Sequence, residues 1–440
     1  MDTKQIQALD KQHVIYPWVQ QAATDRVVME RADGIYLWNT EGKRYIDFCA
    51  GLLCVNVGHN HPHVKNAIKE QLDKLCYAPP IFATEPKSRL AQMISEVTPG
   101  DLNHVFFTNA GAEAIENAIK AARWATGRHK VYSRWRSYHG ATAGAITLSG
   151  DPRRWPAEPG IPGAFKFFGP YCYRCPFGYE GESSCSQQCL ETLKTQVMLE
   201  GPKTIAAIFI EPITGTNGII PPPKFFVQGV RKLCDDHGIL LVVDEVMAGW
   251  GRSGKWFGID HYDVVPDIMV MAKGLTSGYV QLGAMVWGDR LQDHFSKNPF
   301  TGGLTYQGHA LACAAGIANI EVYREEGLIE KSASNGAYLH ERLTALMDKH
   351  PSIGEVRSRG LWACVELTRD RANRTPLADF GDARGNVMKE LTSRLYGNGL
   401  FLFAKWDYIF IAPPLNITRD QIDEAVAILD DGLNYTDSLL

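Results

Sequence analysis

Two residues in the middle of the chain could do chemistry together. Asp244 stands where the apolar run 239–243 gives out, and Lys273 where the run 268–272 gives out. Aliphatic, β-branched runs bounded by turn-forming residues predict strands buried on both faces, the habit of parallel sheets in α/β proteins. Ligands of such sheets bind beyond the carboxyl ends of the strands. An acid and an amine delivered there are candidates for one shared site. Alone, an aspartate after a strand is more often a turn former or helix cap, and a lone lysine is more often solvated. The pair carries more weight than either residue because one piece of chemistry needs both. A lysine amine can hold pyridoxal phosphate as a Schiff base, while a carboxylate keeps the ring nitrogen protonated so that the ring accepts electrons.

Two more apolar runs bring polar groups to what should be the same sheet edge. Residues 105–108 lead into Asn109 and then into a helix that opens with Gly111 and Ala112. Small residues on the first turn leave backbone N–H groups and the positive end of the helix dipole available to a phosphate. Tight packing would use the same residues. The run 204–210 ends at Glu211. Between these, Tyr138-His139-Gly140 sits in a loop after a strand beginning at Lys130, and its tyrosine could stack on a flat cofactor or simply pack in the core.

The elements that position these groups follow from length and pattern. A chain of 440 residues exceeds one ordinary core, so more than one domain is expected. Strands and helices alternate through the middle, the pattern of a doubly wound α/β domain, taken as residues 66–330. Residues 1–65 read as a helical start, then a β-hairpin through Tyr36 and Tyr45 about the polar turn 39–43. A loop at 56–61 precedes a helix carrying Val64, Ala67, Ile68 and Leu72. Residues 331–440 read as a smaller α+β domain with strands at 360–367 and 408–412, joined by the N-terminal segment. Hydrophobic content of 45% and charged content of 21% fit a soluble globular protein. A net charge of −4 gives no reason to invoke nucleic acid or an anionic membrane. The polar N-terminus and the lack of any long apolar run predict a cytoplasmic protein without a membrane span.

Taken together, the stretches NAGAEAIENAIKAARWATGR (109–128), YHG (138–140), IEP (210–212), LLVVDEVMAGWGRSGKWF (240–257), PDIMVMAKGL (266–275) and TYQGHALACAAG (305–316) resemble the class III, or omega, aminotransferases, a branch of the fold type I pyridoxal phosphate enzymes. They span most of the chain, in the family's order. The segment 51–64 also resembles the branch acting on taurine, β-alanine and related ω-amines. The resemblance implies a mixed, mostly parallel sheet of seven-stranded type in the large domain. It implies that Lys273 binds the cofactor and shuttles the proton, that Asp244 pairs with the pyridinium nitrogen, and that Val246 packs on the ring. Gly111 and Ala112 would hold the phosphate, Tyr138 would stack on the ring, and Glu211 would meet an arginine or the cofactor hydroxyl. Thr305 would reach the phosphate of a neighbouring subunit in a homodimer or dimer of dimers.

One departure bears on substrate. Family members acting on α-amino acids often carry an arginine just before the proline pair, where this chain has Phe410. Without that fork the substrate's acid group must be gripped elsewhere, and Lys405, Arg154 and Arg359 are candidates. The expected reaction is a ping-pong transfer from an ω-amino acid, best taurine, to a 2-oxo acid, with 2-oxoglutarate ahead of pyruvate. Other ω-amino acid donors, a class III racemase or aminomutase, and a non-catalytic scaffold are the alternatives, although a scaffold has no need of both Asp244 and Lys273.

Ten cysteines in a cytoplasmic chain read as thiols or ligands rather than disulfides. Six are expected as small buried hydrophobes. The other four, Cys172, Cys175, Cys185 and Cys189, have spacings that could present thiolates to a structural zinc or an iron–sulfur cluster. Their segment is poor in apolar residues, and a metal would supply order. Free thiols remain the open alternative.

Overall fold

The computed structural model describes residues 1–22, 26–185, 187–379 and 386–440. Seven strands form the central sheet: β1 (His104–Thr108), β2 (Lys130–Arg134), β3 (Ala164–Phe167), β4 (Ile205–Ile210), β5 (Leu240–Asp244), β6 (Ile268–Met271) and β7 (Gly283–Trp287). Their order across the sheet is β1-β7-β6-β5-β4-β2-β3. Neighbours from β6 through β3 are parallel, and β7 alone runs antiparallel, against β6 and β1. Every residue of β4, β5, β6 and β7 is buried. That is why these stretches read as continuous apolar runs rather than alternating ones. The chain is thus a mixed α/β protein with a parallel-rich, seven-stranded central sheet.

Parallel neighbours need crossover connections, and helices supply them. The helix Gly111–Thr126 between β1 and β2 buries Ala114, Ile115, Ala118, Ile119 and Ala122 against the sheet. It stops where Gly127 turns left-handed with φ 65°, the usual way a helix closes off its last carbonyls. The helix Lys224–His237 leads into β5 and ends in the same way at Gly238.

The helical start of the chain ends at His13, and a strand the sequence did not signal, Met29–Asp33, pairs with the expected hairpin. Its charged and polar residues lie mostly exposed, so no apolar alternation marked it. The hairpin's second strand, Arg44–Asp47, pairs in parallel with Leu400–Phe401 from far along the chain. A further antiparallel sheet brings together Ile353–Ser358, Ala363–Asp370, Tyr408–Ile411 and Phe403–Lys405. No helix among the described residues is long and apolar enough to cross a membrane.

Arg252 ties distant segments together. Its guanidinium, 1% exposed, donates to Asn56 Oδ1 at 2.7 Å, to the Leu361 carbonyl at 2.9 Å and to the Pro413 carbonyl at 2.6 Å. Burial without a carboxylate partner pushes its pKa down to about 10. Replacing it would leave three buried acceptors unpaired, each costing about 1–3 kcal/mol. Arg252→Met should therefore lower unfolding stability by roughly 3 kcal/mol or more in denaturant titration; a loss under about 1 kcal/mol would show that the neighbours close over the gap.

Candidate active site

β5 and β6 lie side by side in parallel, with Asp244 opposite Val270. Asp244 ends β5, and Lys273 follows β6 by two residues, so the acid and the amine emerge at the same sheet edge. Asp244 is 5% exposed. Its Oδ1 accepts from the Val246 N–H at 2.9 Å, and its Oδ2 lies 2.7 Å from His139 Nδ1. The second nitrogen of His139, Nε2, is buried and makes no hydrogen bond. Lys273 adopts φ 46°, a left-handed conformation that costs a side-chain-bearing residue about 1–3 kcal/mol and tends to collect at functional sites. Burial lowers the pKa of its amine, Cys54 and Asp244 partly oppose the shift, and the Arg153 charge adds to it. An amine so placed loses its proton more readily than a solvated lysine.

The phosphate-cradle expectation has a matching shape. Ala110 caps the helix Gly111–Thr126 without a side-chain bond, and the Glu113 carboxylate turns back to the Asn109 N–H at 2.8 Å. The N–H groups of the first turn have no partner within the helix. A Cβ on Gly111 would come within 2.7 Å of Val246 Cγ2, so Val246 packs directly on the opening of the helix. Gly140, at φ 134°, brings the Tyr138 loop onto the same turn, since a Cβ there would stand 2.5 Å from that of Ala112.

Of the two partners expected for Glu211, an arginine or the cofactor hydroxyl, no arginine among the described residues forms an ion pair with it. Its Oε1 accepts from the Tyr138 N–H at 3.0 Å and its Oε2 from the Gly215 N–H at 2.7 Å. Burial first, and Asp244 after it, push its pKa up to about 7, against the opposing effect of His139. Glu211 therefore acts as a post that holds the Tyr138 loop over the sheet edge. Thr305 is exposed, its carbonyl accepting from the Tyr77 hydroxyl at 2.9 Å, and no contact joins it to Asp244 or Lys273.

Of the three cations expected to grip an acid group, two lie in other surroundings and one stands beside Asp151. Arg154 pairs with Glu158 and stacks over Trp135. Arg359 is exposed and lies towards His261 and Tyr262. Lys405 sits 3.6 Å from Asp151 Oδ2. The cation over Tyr138 is one the sequence did not single out, Arg153. It lies 3.6 Å over the Tyr138 ring, forks onto Asp151, and donates to the Thr216 hydroxyl at 2.5 Å. Phe410, where many relatives by family carry arginine, is fully buried against Phe403.

The four clustered cysteines line one small cavity together with Pro176, Phe177, Pro223 and Phe225. No three His, Cys, Asp or Glu side chains among the described residues are arranged to hold a metal ion, so the zinc or iron–sulfur expectation finds no support. All four are free thiols, and burial pushes Cys172 up to about 11 and Cys189 up to about 12. The order expected from a metal has another source. Arg174 of this segment pairs with Glu366 at 2.7 Å and Asp407 at 2.5 Å, the Tyr171 hydroxyl donates to Glu366, and Arg374 donates to the Tyr173 carbonyl. Of the six scattered cysteines, Cys76 is exposed and Cys54 half-buried, contrary to the expectation that all are core residues.

The family profile of class III aminotransferases matches residues 19–433. The chain resembles the crystal structure of taurine:2-oxoglutarate aminotransferase from Bifidobacterium kashiwanohense in complex with PLP and glutamate, with 40% identity, a TM-score of 0.96, and coverage of 100% of this chain and 99% of that one. It is 35% identical to putrescine–pyruvate aminotransferase of Pseudomonas aeruginosa, covering 99% of this chain and 97% of that protein. It is 32% identical to taurine–pyruvate aminotransferase of Bilophila wadsworthia, covering 98% and 97%. The chain belongs to the class III aminotransferase family, and it is an enzyme of that class. Pyridoxal phosphate is the cofactor expected of it.

The residues present fit that cofactor. The orphaned His139 nitrogen, the buried Asp244 carboxylate, the glycine-lined helix opening and the burial-activated Lys273 together match a protonated pyridine ring, a phosphate and an aldehyde. When bound, the cofactor supplies an electron sink for the carbon that carries the amine. The protein's part would be to hold it: Asp244, whose carboxylate His139 fixes, would make a charge-assisted hydrogen bond to the ring nitrogen. Lys273 Nζ would carry the proton to and from the substrate carbon. Asp244→Asn should keep the cofactor but lose on the order of 10²–10³ in kcat, since a neutral amide does not hold the ring proton. A kcat within about threefold of wild type would contradict the role given to Asp244.

Proposed function

We propose that the protein moves the amine of an ω-amino acid, with taurine the favoured donor, to a 2-oxo acid, 2-oxoglutarate ahead of pyruvate, by a ping-pong reaction that releases an aldehyde. The observation that carries this reading is the cation beside the site. Arg153 lies over Tyr138, close enough to Lys273 to lower its pKa, and no arginine stands at position 410. A grip at that place suits an acid group borne away from the reacting carbon, as in an ω-amino acid, better than an α-carboxylate clamp would. A sulfonate has three oxygens and needs donors spread around it rather than a planar fork. The taurine-specific names among the similar proteins support the same donor.

The assigned roles form one reading: Lys273 as proton carrier, Asp244 on the ring nitrogen, Gly111 and Ala112 at the phosphate, Tyr138 and Val246 against the ring, and Glu211 behind Tyr138. Thr305 completes the phosphate site of a partner copy. Support for a homodimer comes from exposed apolar and aromatic residues near it, with Tyr306 at 61%, Ile81 at 86% and Phe82 at 57% exposure. Tyr77 links this patch to Thr305. Residues 1–65 and 331–440 read as flanking parts of one smaller domain beside the large one at 66–330, and the cytoplasm is the proposed location.

A panel of amines scored against pyruvate and 2-oxoglutarate, with products identified, tests the function. Taurine with 2-oxoglutarate should give sulfoacetaldehyde and glutamate, and Lys273→Ala should abolish both while keeping the far-UV circular dichroism of the native protein. Conversion of an amino acid without any added 2-oxo acid would replace this reading with a racemase or aminomutase. Transfer from diamines or neutral amines in preference to acid-bearing ones would replace the donor.

A further inference from the structure

Lys405 is a half-buried cation whose ammonium is enclosed and whose one carboxylate neighbour, Asp151, is shared with Arg153. It lies on the strand Phe403–Lys405, and its side chain is 17% exposed. Its Nζ sits 3.6 Å over the Trp406 ring and 3.6 Å from Asp151 Oδ2, yet makes no hydrogen bond. Asp151 is already occupied. Its oxygens accept from the Arg153 N–H at 2.9 Å, from Arg153 Nε at 2.9 and 3.1 Å, from the terminal Arg153 nitrogen, and from Asn217 Nδ2 at 3.1 Å. Two cations, each only partly exposed, therefore share one fully buried carboxylate, leaving an excess of one positive charge when both are protonated. Burying such a charge is costly unless an anion offsets it.

We propose that Lys405 is the second cation of the acid-group subsite: together with Arg153 it receives the sulfonate or carboxylate at the far end of the substrate, and it sets the preference for acid-bearing substrates over neutral amines. The inference rests on the aminotransferase reading above and names the residue that sets its donor class. An acid oxygen within reach of Nζ would satisfy the donors that Asp151 leaves free. The Trp406 ring and the Asp151 carboxylate hold the amine at that spot, as a point charge beside the planar Arg153 fork. Burial, with Arg153 adding to it, lowers the Lys405 pKa to about 7, the state of a cation that lacks sufficient counter-charge.

The test compares Lys405→Met and Lys405→Arg with wild-type holoenzyme. For each, one measures the rate of cofactor conversion by taurine and by n-propylamine, and the inhibition constant of propane-1-sulfonate, which carries the acid without the amine. Lys405→Met should raise the taurine KM and the propane-1-sulfonate constant by about tenfold, with kcat changed far less. The taurine-to-propylamine preference should fall by the same factor, and Lys405→Arg should recover most of it. Equal losses for taurine and propylamine would overturn the proposal in favour of a structural role, and so would an unchanged sulfonate constant in a folded Met variant. Should Lys405→Met fail to fold, the Arg variant decides: a sulfonate constant more than tenfold weaker in that still-cationic protein would overturn the proposal. A wild-type enzyme that converts no amine would instead overturn the aminotransferase reading and the proposal with it, and that failure shows in the wild-type sample alone.

Discussion

The parallel pairing of β5 with β6 is the constraint on which the rest of the structure depends. It fixes Asp244 opposite Val270 and thereby sets how far the acid and the amine stand from one another. Because both strands are apolar and buried on both faces, a slip of one residue would move Asp244 off Val270 and draw a polar residue flanking the strand into the core. The catalytic spacing is therefore held by the hydrophobic effect acting on ten or so buried aliphatic residues, not by any contact within the site itself.

Around that pair the other groups are held indirectly. Glu211 at the end of β4 holds the Tyr138 loop through the Tyr138 N–H and is itself fixed by the Gly215 N–H, and His139 of that loop holds Asp244. Val246, two residues past Asp244, supports the opening of the helix at Gly111. Three adjacent strand ends and one helix opening thus lock each other, through the hydrogen bonds of Glu211 and Asp244 and the packing of Val246. Such a network is stiff, which suits a site whose catalysis depends on keeping a ring and a lysine in fixed relation.

Much of this was legible in the sequence, for a physical reason. Fully buried parallel strands read as unbroken apolar runs, so β4, β5 and β6 and the polar residues at their ends stood out. Strand Met29–Asp33 did not, because its residues are mostly exposed and charged. Antiparallel β7 offered no polar residue to mark it. Arg153 was missed while its neighbour Arg154 was named, since adjacent residues in a tight turn point to different sides and composition cannot tell them apart. The role of Glu211 could not be read because its partners are backbone N–H groups, which leave no trace in side-chain identity. The cysteine spacing suggested a metal, whereas the order of that segment comes from Arg174 and its carboxylates, near two hundred residues away in sequence. Long-range ion pairs have no local signature.

The central claim is that Lys273 alone anchors the cofactor. Borohydride reduction of the purified enzyme, followed by proteolysis and peptide mass spectrometry, tests it most directly. The account predicts the mass of reduced pyridoxal phosphate on the peptide containing Lys273 and on no other lysine. The same mass on a different lysine, or on none when the protein has been saturated with the cofactor, would contradict it.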